Sequence, residues 1–324
     1  MPNTPVLHDS NFPLIQSMAA NHIKQILNGD VRAVALLMSL IEDGDPRAKP
    51  VLRAIYRHTG GAHVVGVTGA AGTGKSSLID RMTAEYRRRR KTVGILAVDP
   101  TSLFSTGAVL GDRVRMREHF ADDGVFIRSF ATRGSSGGVS AAIREGIHLL
   151  DAAGKEVIFV ETIGVGQDQL EIAELAHMVV VVLTPQMGDE VQAMKAGLAE
   201  IADILLINKA DLAGAEETVQ QLNALFADEE FPIIATSASK DQGVVSLVEQ
   251  IEGQRKKSLD NGKYQQKRLN LCRRELLSLL RERVMAKFEK RLGEAVLDRE
   301  VKRTAQRQID PYTAVEAITK KIGL

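Results

Sequence analysis

His63-Val-Val-Gly-Val-Thr-Gly69-Ala-Ala-Gly-Thr-Gly-Lys75-Ser76-Ser77-Leu-Ile-Asp-Arg-Met82 is an apolar run, a glycine-rich loop and then a helical pattern. That strand–loop–helix context separates a working phosphate-binding loop from a chance match to the short pattern. Gly69, Ala70, Ala71, Gly72, Thr73, Gly74, Lys75, Ser76 and Ser77 form the predicted cradle. The glycines let backbone N–H groups converge on phosphate oxygens, helped by the positive end of the following helix. Lys75 is expected to reach the β- and γ-phosphates, and the Ser76 hydroxyl to ligate Mg²⁺.

A second motif, Asn208-Lys209-Ala-Asp211, follows the apolar run Asp203-Ile-Leu-Leu-Ile and so sits where open α/β sheets bind ligands, at a strand's carboxyl end. The Asp211 carboxylate can accept from guanine N1–H and the 2-amino group. Adenine offers neither donor, so ATP would strand that carboxylate at a cost of roughly 1–3 kcal/mol or more. Asn208 is expected to hold the purine edge and the loop, with the Lys209 stem along the base plane. Ile233-Ile-Ala-Thr-Ser237-Ala238 reads as a further strand ending where a backbone N–H can meet guanine O6. Alone, the first motif occurs by chance and the second is an ordinary solvated turn. Together and in order they predict a GTP- and GDP-binding protein.

Between the motifs lie the candidate metal and catalytic groups. Mg²⁺ takes near-octahedral oxygen ligands and keeps several waters. Asp99 and Glu161 each end an apolar run, and Asp112 lies in a loop able to fold over the nucleotide. The ordinary alternative for each is a cap or a surface charge, and strand-end placement favours the functional reading for the first two. The Gly164 amide is a candidate sensor of the γ-phosphate, because glycine lets a backbone N–H approach closely and swing away. In-line attack of water would rest on Lys75, Asp99, Glu161 and Mg²⁺, with Gln167 a candidate to orient the water or part of a moving interface. Arg113, Arg115 and Arg133 are possible arginine fingers, each also an ordinary surface charge.

The apolar and polar periodicity divides the 324 residues into a helical extension over 1–61, a P-loop GTPase domain over 62–254 and a helical arm over 255–324. Strands are expected at 64–68, 92–98, 125–129, 156–161, 178–183, 203–208 and 232–237, alternating with helices that include 75–90, 138–153, 188–202, 215–226 and 243–253. The fold class is α/β, a mostly parallel sheet covered by helices on both faces. In the arm, Leu269, Cys272, Leu276, Leu280 and Val284 recur at helical spacing with Leu277, Met285 and Phe288 beside them. Such a stripe has to be buried, either on the GTPase domain or on a second copy, and the second is preferred. Net charge is +1, which gives no field for nucleic acid or acidic membranes, and the single cysteine excludes an intrachain disulfide. The first nine residues lack a signal-peptide layout and no apolar run nears the ~20 residues of a span, so a soluble, cytoplasmic protein is expected.

Three further strings carry a resemblance. Leu96-Ala-Val-Asp99-Pro-Thr-Ser102 with Gly107-Ala-Val-Leu-Gly-Asp112-Arg-Val-Arg-Met116 resembles a first switch. Glu161-Thr-Ile-Gly-Val-Gly-Gln167 resembles a second. Pro185-Gln-Met-Gly-Asp189-Glu190-Val-Gln192-Ala-Met-Lys195-Ala-Gly197 resembles a third switch peculiar to one family. That family is the methylmalonyl-CoA mutase-associated GTPases, G-protein chaperones of adenosylcobalamin-dependent acyl-CoA mutases, also called lysine/arginine/ornithine transport kinases. The resemblance runs from about residue 20 to the C-terminus. It implies a GTPase with slow intrinsic turnover that a mutase partner stimulates, and that loads, protects and reactivates the mutase's cofactor. Cobalamin would enter only through that partner. It also implies relay roles for Asp189, Glu190, Gln192 and Lys195, and a homodimer through the arm. Ala71, Gln186-Met187 and the stretch Ala131–Gly138 depart from the family pattern where a client enzyme would touch, and remove no phosphate or guanine contact. Two other functions compete: a nucleotide-dependent kinase or ATPase of an amino-acid transport system, and a GTP-dependent metallochaperone. The first needs a base and a docking site that no residue is assigned to, the second His or Cys ligands at usable spacing.

Overall fold

The structure, a computed structural model, describes residues 21–99, 119, 121–131, 138–162, 168–187, 195 and 197–322. Two compact units divide the chain, Met1–Tyr264 and Gln265–Leu324.

The first unit is built on seven parallel strands: β1 (His63–Thr68), β2 (Val93–Asp99), β3 (Val125–Ala131), β4 (Val157–Glu161), β5 (Met178–Leu183), β6 (Ile204–Ile207) and β7 (Ile233–Ala235). Their order is β3-β2-β4-β1-β5-β6-β7, with β1 central between β4 and β5. Parallel sheets need helical crossovers, and the helices cover both faces. Continuous apolar runs follow from that double burial. Along β4, Val157 and Phe159 join one apolar layer while Ile158 and Val160 join the other; β5 and β6 alternate in the same way. One layer is filled by α3 (Lys75–Arg88) and α7 (Val244–Asp260), through Leu78, Ile79, Met82, Leu247, Val248 and Ile251. The other takes α1 (Val31–Glu42), α2 (Ala48–Ile55), α4 (Gly138–Ala152), α5 (Asp168–Ala173) and α6 (Ala215–Leu225). Gly66 in β1 lets α5 pack tightly, since a Cβ there would lie 2.4 Å from Ile172 Cγ1.

Helices α1 and α2 precede the sheet, as the periodicity predicts. Asp30 caps α1 by accepting from the Ala33 N–H at 2.8 Å, and Arg128 on β3 pairs with Glu42 at the helix's far end. Of the run Arg87–Lys91 at the end of α3, Arg87, Arg88, Arg89 and Lys91 have acidic partners. Arg87 forks onto Asp122 at 2.7 and 2.8 Å, Arg89 lies 2.7 Å from Glu85 and Lys91 2.6 Å from Glu156. Of the helix expected at 188–202, residues 188–194 and 196 lie outside the described residues. The largest shift of a boundary is at the end of α7, expected at 253. The polar stretch from Arg255 stays helical to Asp260, because Lys, Arg and Leu are good helix formers. The break comes at Asn261-Gly262, where Gly262 takes a φ of +76°.

The second unit carries most of α8 (Lys263–Leu292), then α9 (Glu294–Ala305) and α10 (Pro311–Ile322). Asp310 caps α10 through the Tyr312 and Thr313 amides at 2.9 and 3.0 Å. Leu292 and Ile318, with Phe288 and Val296 against them, form a small core.

Candidate functional site

The phosphate loop leaves the central strand and turns into α3, where an open parallel sheet binds ligands. Gly69 has a φ of +143° and no room for a Cβ, which would fall 2.1 Å from the Val182 carbonyl. Gly74 has a φ of +90°, and a Cβ there would meet Asn208 Nδ2 at 2.4 Å. Only glycine satisfies both demands. Lys75 is 6% exposed and its ammonium donates to the Gly69 and Ala70 carbonyls at 2.9 and 3.0 Å. Burial lowers its pKa, and the Glu161 charge opposes that. The lysine is thus held inside the loop that it would need to serve.

Ser76, in the first turn of α3, donates its hydroxyl to Glu161 Oε1 at 2.7 Å, and both are buried. Two residues 85 apart in sequence therefore present hard oxygen donors at one point, which is the chemistry Mg²⁺ takes. Asp99 is the last residue of β2, on the same edge of the sheet. Asp112, Gly164 and Gln167 lie outside the described residues, as do Arg113, Arg115 and Arg133. A contact that sequence reading missed is the Thr162 hydroxyl donating to Thr68 Oγ1 at 2.9 Å, which ties the ends of β4 and β1 together below the loop.

The other motif assembles beside it. Asn208, 2% exposed, donates through Nδ2 to the Thr73 carbonyl at 2.8 Å, while its Oδ1 accepts from Ala238 N–H at 3.1 Å and Thr236 Oγ1 at 3.3 Å. It locks the phosphate loop to the loop after β7. Lys209 has a left-handed φ of +58°, and its ammonium donates to the Gly72 carbonyl at 2.7 Å. Asp211 Oδ1 accepts from the Ser237 hydroxyl at 2.6 Å, and Oδ2 lies 3.5 Å from Lys240 Nζ. Ser237 first, then Lys240 among the charges, hold the Asp211 carboxyl below the usual carboxylate range. Thr236 and Lys240 were not singled out from sequence. Their signal was available only as positions flanking Ser237 on the loop after the last strand. Ala238 points its N–H at Asn208, so its use as a guanine O6 donor requires that N–H to be shared.

Of the third-switch string, Asp189, Glu190 and Gln192 lie outside the described residues. Lys195 is exposed and sits 6.0 Å over the Phe226 ring. Pro185–Met187 forms a short 3-10 turn after β5. Among the described residues, no three His, Cys, Asp or Glu side chains gather to hold a metal ion. No described helix is long and apolar enough to cross a membrane.

A parallel sheet with this loop on its central strand defines a P-loop nucleoside triphosphatase. Over residues 31–292 the chain matches the family model for methylmalonyl Co-A mutase-associated GTPase MeaB, and it belongs to that family. A GTPase-named protein of Pyrococcus horikoshii is 44% identical over 309 residues, 93% of this chain and 97% of that one. The methylmalonic aciduria type A homolog of Caenorhabditis elegans, a mitochondrial protein, is 37% identical over 203 residues, 58% of this chain and 51% of that one. A crystal structure of an LAO/AO transport system kinase superposes with a TM-score of 0.73 over 99% of this chain and all of the other, at 23% identity, which is a likeness of fold.

Proposed function

We propose that this GTPase acts as a chaperone of an adenosylcobalamin-dependent acyl-CoA mutase, coupling GTP binding and hydrolysis to cofactor loading, protection and reactivation. The observation that carries the nucleotide part is Asn208, whose single amide joins the phosphate loop to the base-reading loops. With that lock in place, Asp211 faces a base whose phosphates lie on Lys75. The family's name supports the mutase as partner, and the C. elegans relative's name supports the methylmalonyl pathway.

Within this reading, Ser76 and Glu161, with Asp99 and Asp112, would hold Mg²⁺. Its chemistry there would be to offset negative charge on the β- and γ-phosphates. Lys75 leaves its own loop carbonyls for the phosphate oxygens, and its 6% exposure makes that charge strong. Gln167 orients the attacking water and Gly164 senses the γ-phosphate. Asp189, Glu190, Gln192 and Lys195 relay the partner's presence, and the arm 255–324 forms a homodimer. No arginine finger is assigned, so intrinsic turnover is slow and the partner completes the site.

The test is GTP hydrolysis by the purified protein with and without candidate B12-dependent acyl-CoA mutases, Lys75→Ala serving as the blank. Slow turnover that one mutase raises severalfold identifies the client. Turnover unchanged by every mutase removes the chaperone reading and leaves the GTPase. Turnover retained in Lys75→Ala removes the phosphate-site assignment.

A further inference from the structure

Helix α6 makes two contacts that neither phosphate nor base chemistry uses, one near each end. Its N-terminal end follows directly from the base-reading loop: the Leu212 N–H donates to the Lys209 carbonyl at 3.0 Å, and Gly214 turns the chain into the helix with a φ of +87°. One turn in, the buried Thr218 hydroxyl lies 2.8 Å from the Gly214 carbonyl and 3.1 Å from the Pro185 carbonyl. A hydroxyl has one proton, so it is shared between the helix start and the turn after β5. At the other end the buried Phe226 closes α6, its N–H donating to the Leu222 carbonyl at 2.9 Å. Phe226 offers its ring to Lys195 at 6.0 Å, within the reach of a cation–π contact, and packs against Phe231 with centroids 5.3 Å apart. Val219, Leu222 and Leu225 share an apolar layer with Met187, Leu198 and Ile201.

We infer that α6 is a coupling element that links the guanine-reading loop to Pro185 and Lys195, with Thr218 and Phe226 as positioning residues. The inference rests on the reading of the third-switch string as a partner relay. A rigid helix held at both ends transmits displacement rather than absorbing it. A partner that withdraws Lys195 from the Phe226 ring, or moves Pro185, changes the seating of α6, and Leu212–Gly214 carry the change to Asp211. The quantity so controlled is guanine affinity, and therefore GDP release, rather than the hydrolytic step. Reciprocity then requires bound nucleotide to alter partner affinity by the same factor.

The experiment measures release of a fluorescent GDP analogue from the full chain, for Thr218→Val, Phe226→Leu, Lys195→Ala and the Phe226→Leu/Lys195→Ala pair. Each single change is expected to alter the release rate about threefold to tenfold. The pair should do no more than either member, because both remove one contact. Thr218→Ser should restore the wild-type rate, and single-turnover hydrolysis should be unchanged in Thr218→Val and Phe226→Leu. Wild-type release rates in folded Thr218→Val and Phe226→Leu would overturn the inference, as would additive effects in the pair. Should the core variants fail to fold, Lys195→Ala against Lys195→Arg decides it at an exposed position: equal release rates from both sink it. Adding a mutase to the wild type separates the two ideas. A mutase that leaves GDP release untouched removes the partner reading, while the intramolecular cycle still judges α6.

Discussion

Asp211 holds one oxygen against the Ser237 hydroxyl and turns the other toward Lys240. Both neighbours favour the charged form, so its pKa is depressed. A depressed carboxylate contributes what it contributes above its unfolded value, about 3.9, and loses it as pH falls through the lower folded value. If Asp211 reads guanine as proposed, it therefore keeps the charge that this needs down to acid pH. Asp211→Asn replaces an acceptor by a donor opposite the guanine 2-amino group. GTP affinity should fall about 10- to 100-fold, the value of a charge-assisted hydrogen bond of about 1.5–3 kcal/mol. Xanthine nucleotide, whose 2-oxo group can accept that donor, should gain. Titration of both nucleotides against the variant checks this, and unchanged GTP affinity would remove Asp211 from the site.

At the scale of elements, α3 is more than a carrier for Lys75 and Ser76. His119 Nε2 lies 3.1 Å from the Asp80 carbonyl oxygen and 3.3 Å from its carboxylate, with Arg81 4.0 Å from the same side chain. The Asp80 carboxylate beside the ring comes first among the causes that raise the His119 pKa, against burial, with Asp122 adding a smaller charge effect and itself forked by Arg87. A raised histidine stabilises fully below its unfolded value of about 6.5, and that stability is lost as pH rises through the higher folded value. Thermal unfolding followed across this interval should show the wild type losing stability and His119→Gln losing less. Equal slopes would mean that His119 is not protonated on Asp80. The pairing was invisible in the sequence, where His119 is one histidine 39 residues from Asp80.

For the whole molecule, α8 exposes Leu276 at 68% and Leu280 at 57% of their surfaces, with Leu269, Val284 and Met285 also exposed. A stripe of that size on a free surface favours association, since each buried leucine is worth about 1.5–3 kcal/mol. If the arm forms the homodimer, Leu276→Glu with Leu280→Glu should give a monomer by sedimentation velocity. Both residues belong to the second compact unit and neither is among the residues assigned to the nucleotide site, so intrinsic GTP turnover should persist. A dimer that survives both charges would place the interface elsewhere.

By itself the sequence determined the parallel α/β class, the order of its strands along the chain and where the phosphate loop and the Asn208–Asp211 motif fall. These are local: a glycine at a left-handed turn, a lysine at a helix start and an apolar run long enough for one strand announce themselves without distant partners. Only the tertiary structure decided that Asn208 bridges Thr73 and Ala238, that Ser76 meets Glu161, that Lys240 guards Asp211 and that α6 spans from the base loop to Lys195. Each joins residues that parallel crossovers bring together from different strands. No periodicity along the chain encodes such pairings, because each depends on which strand ends share an edge.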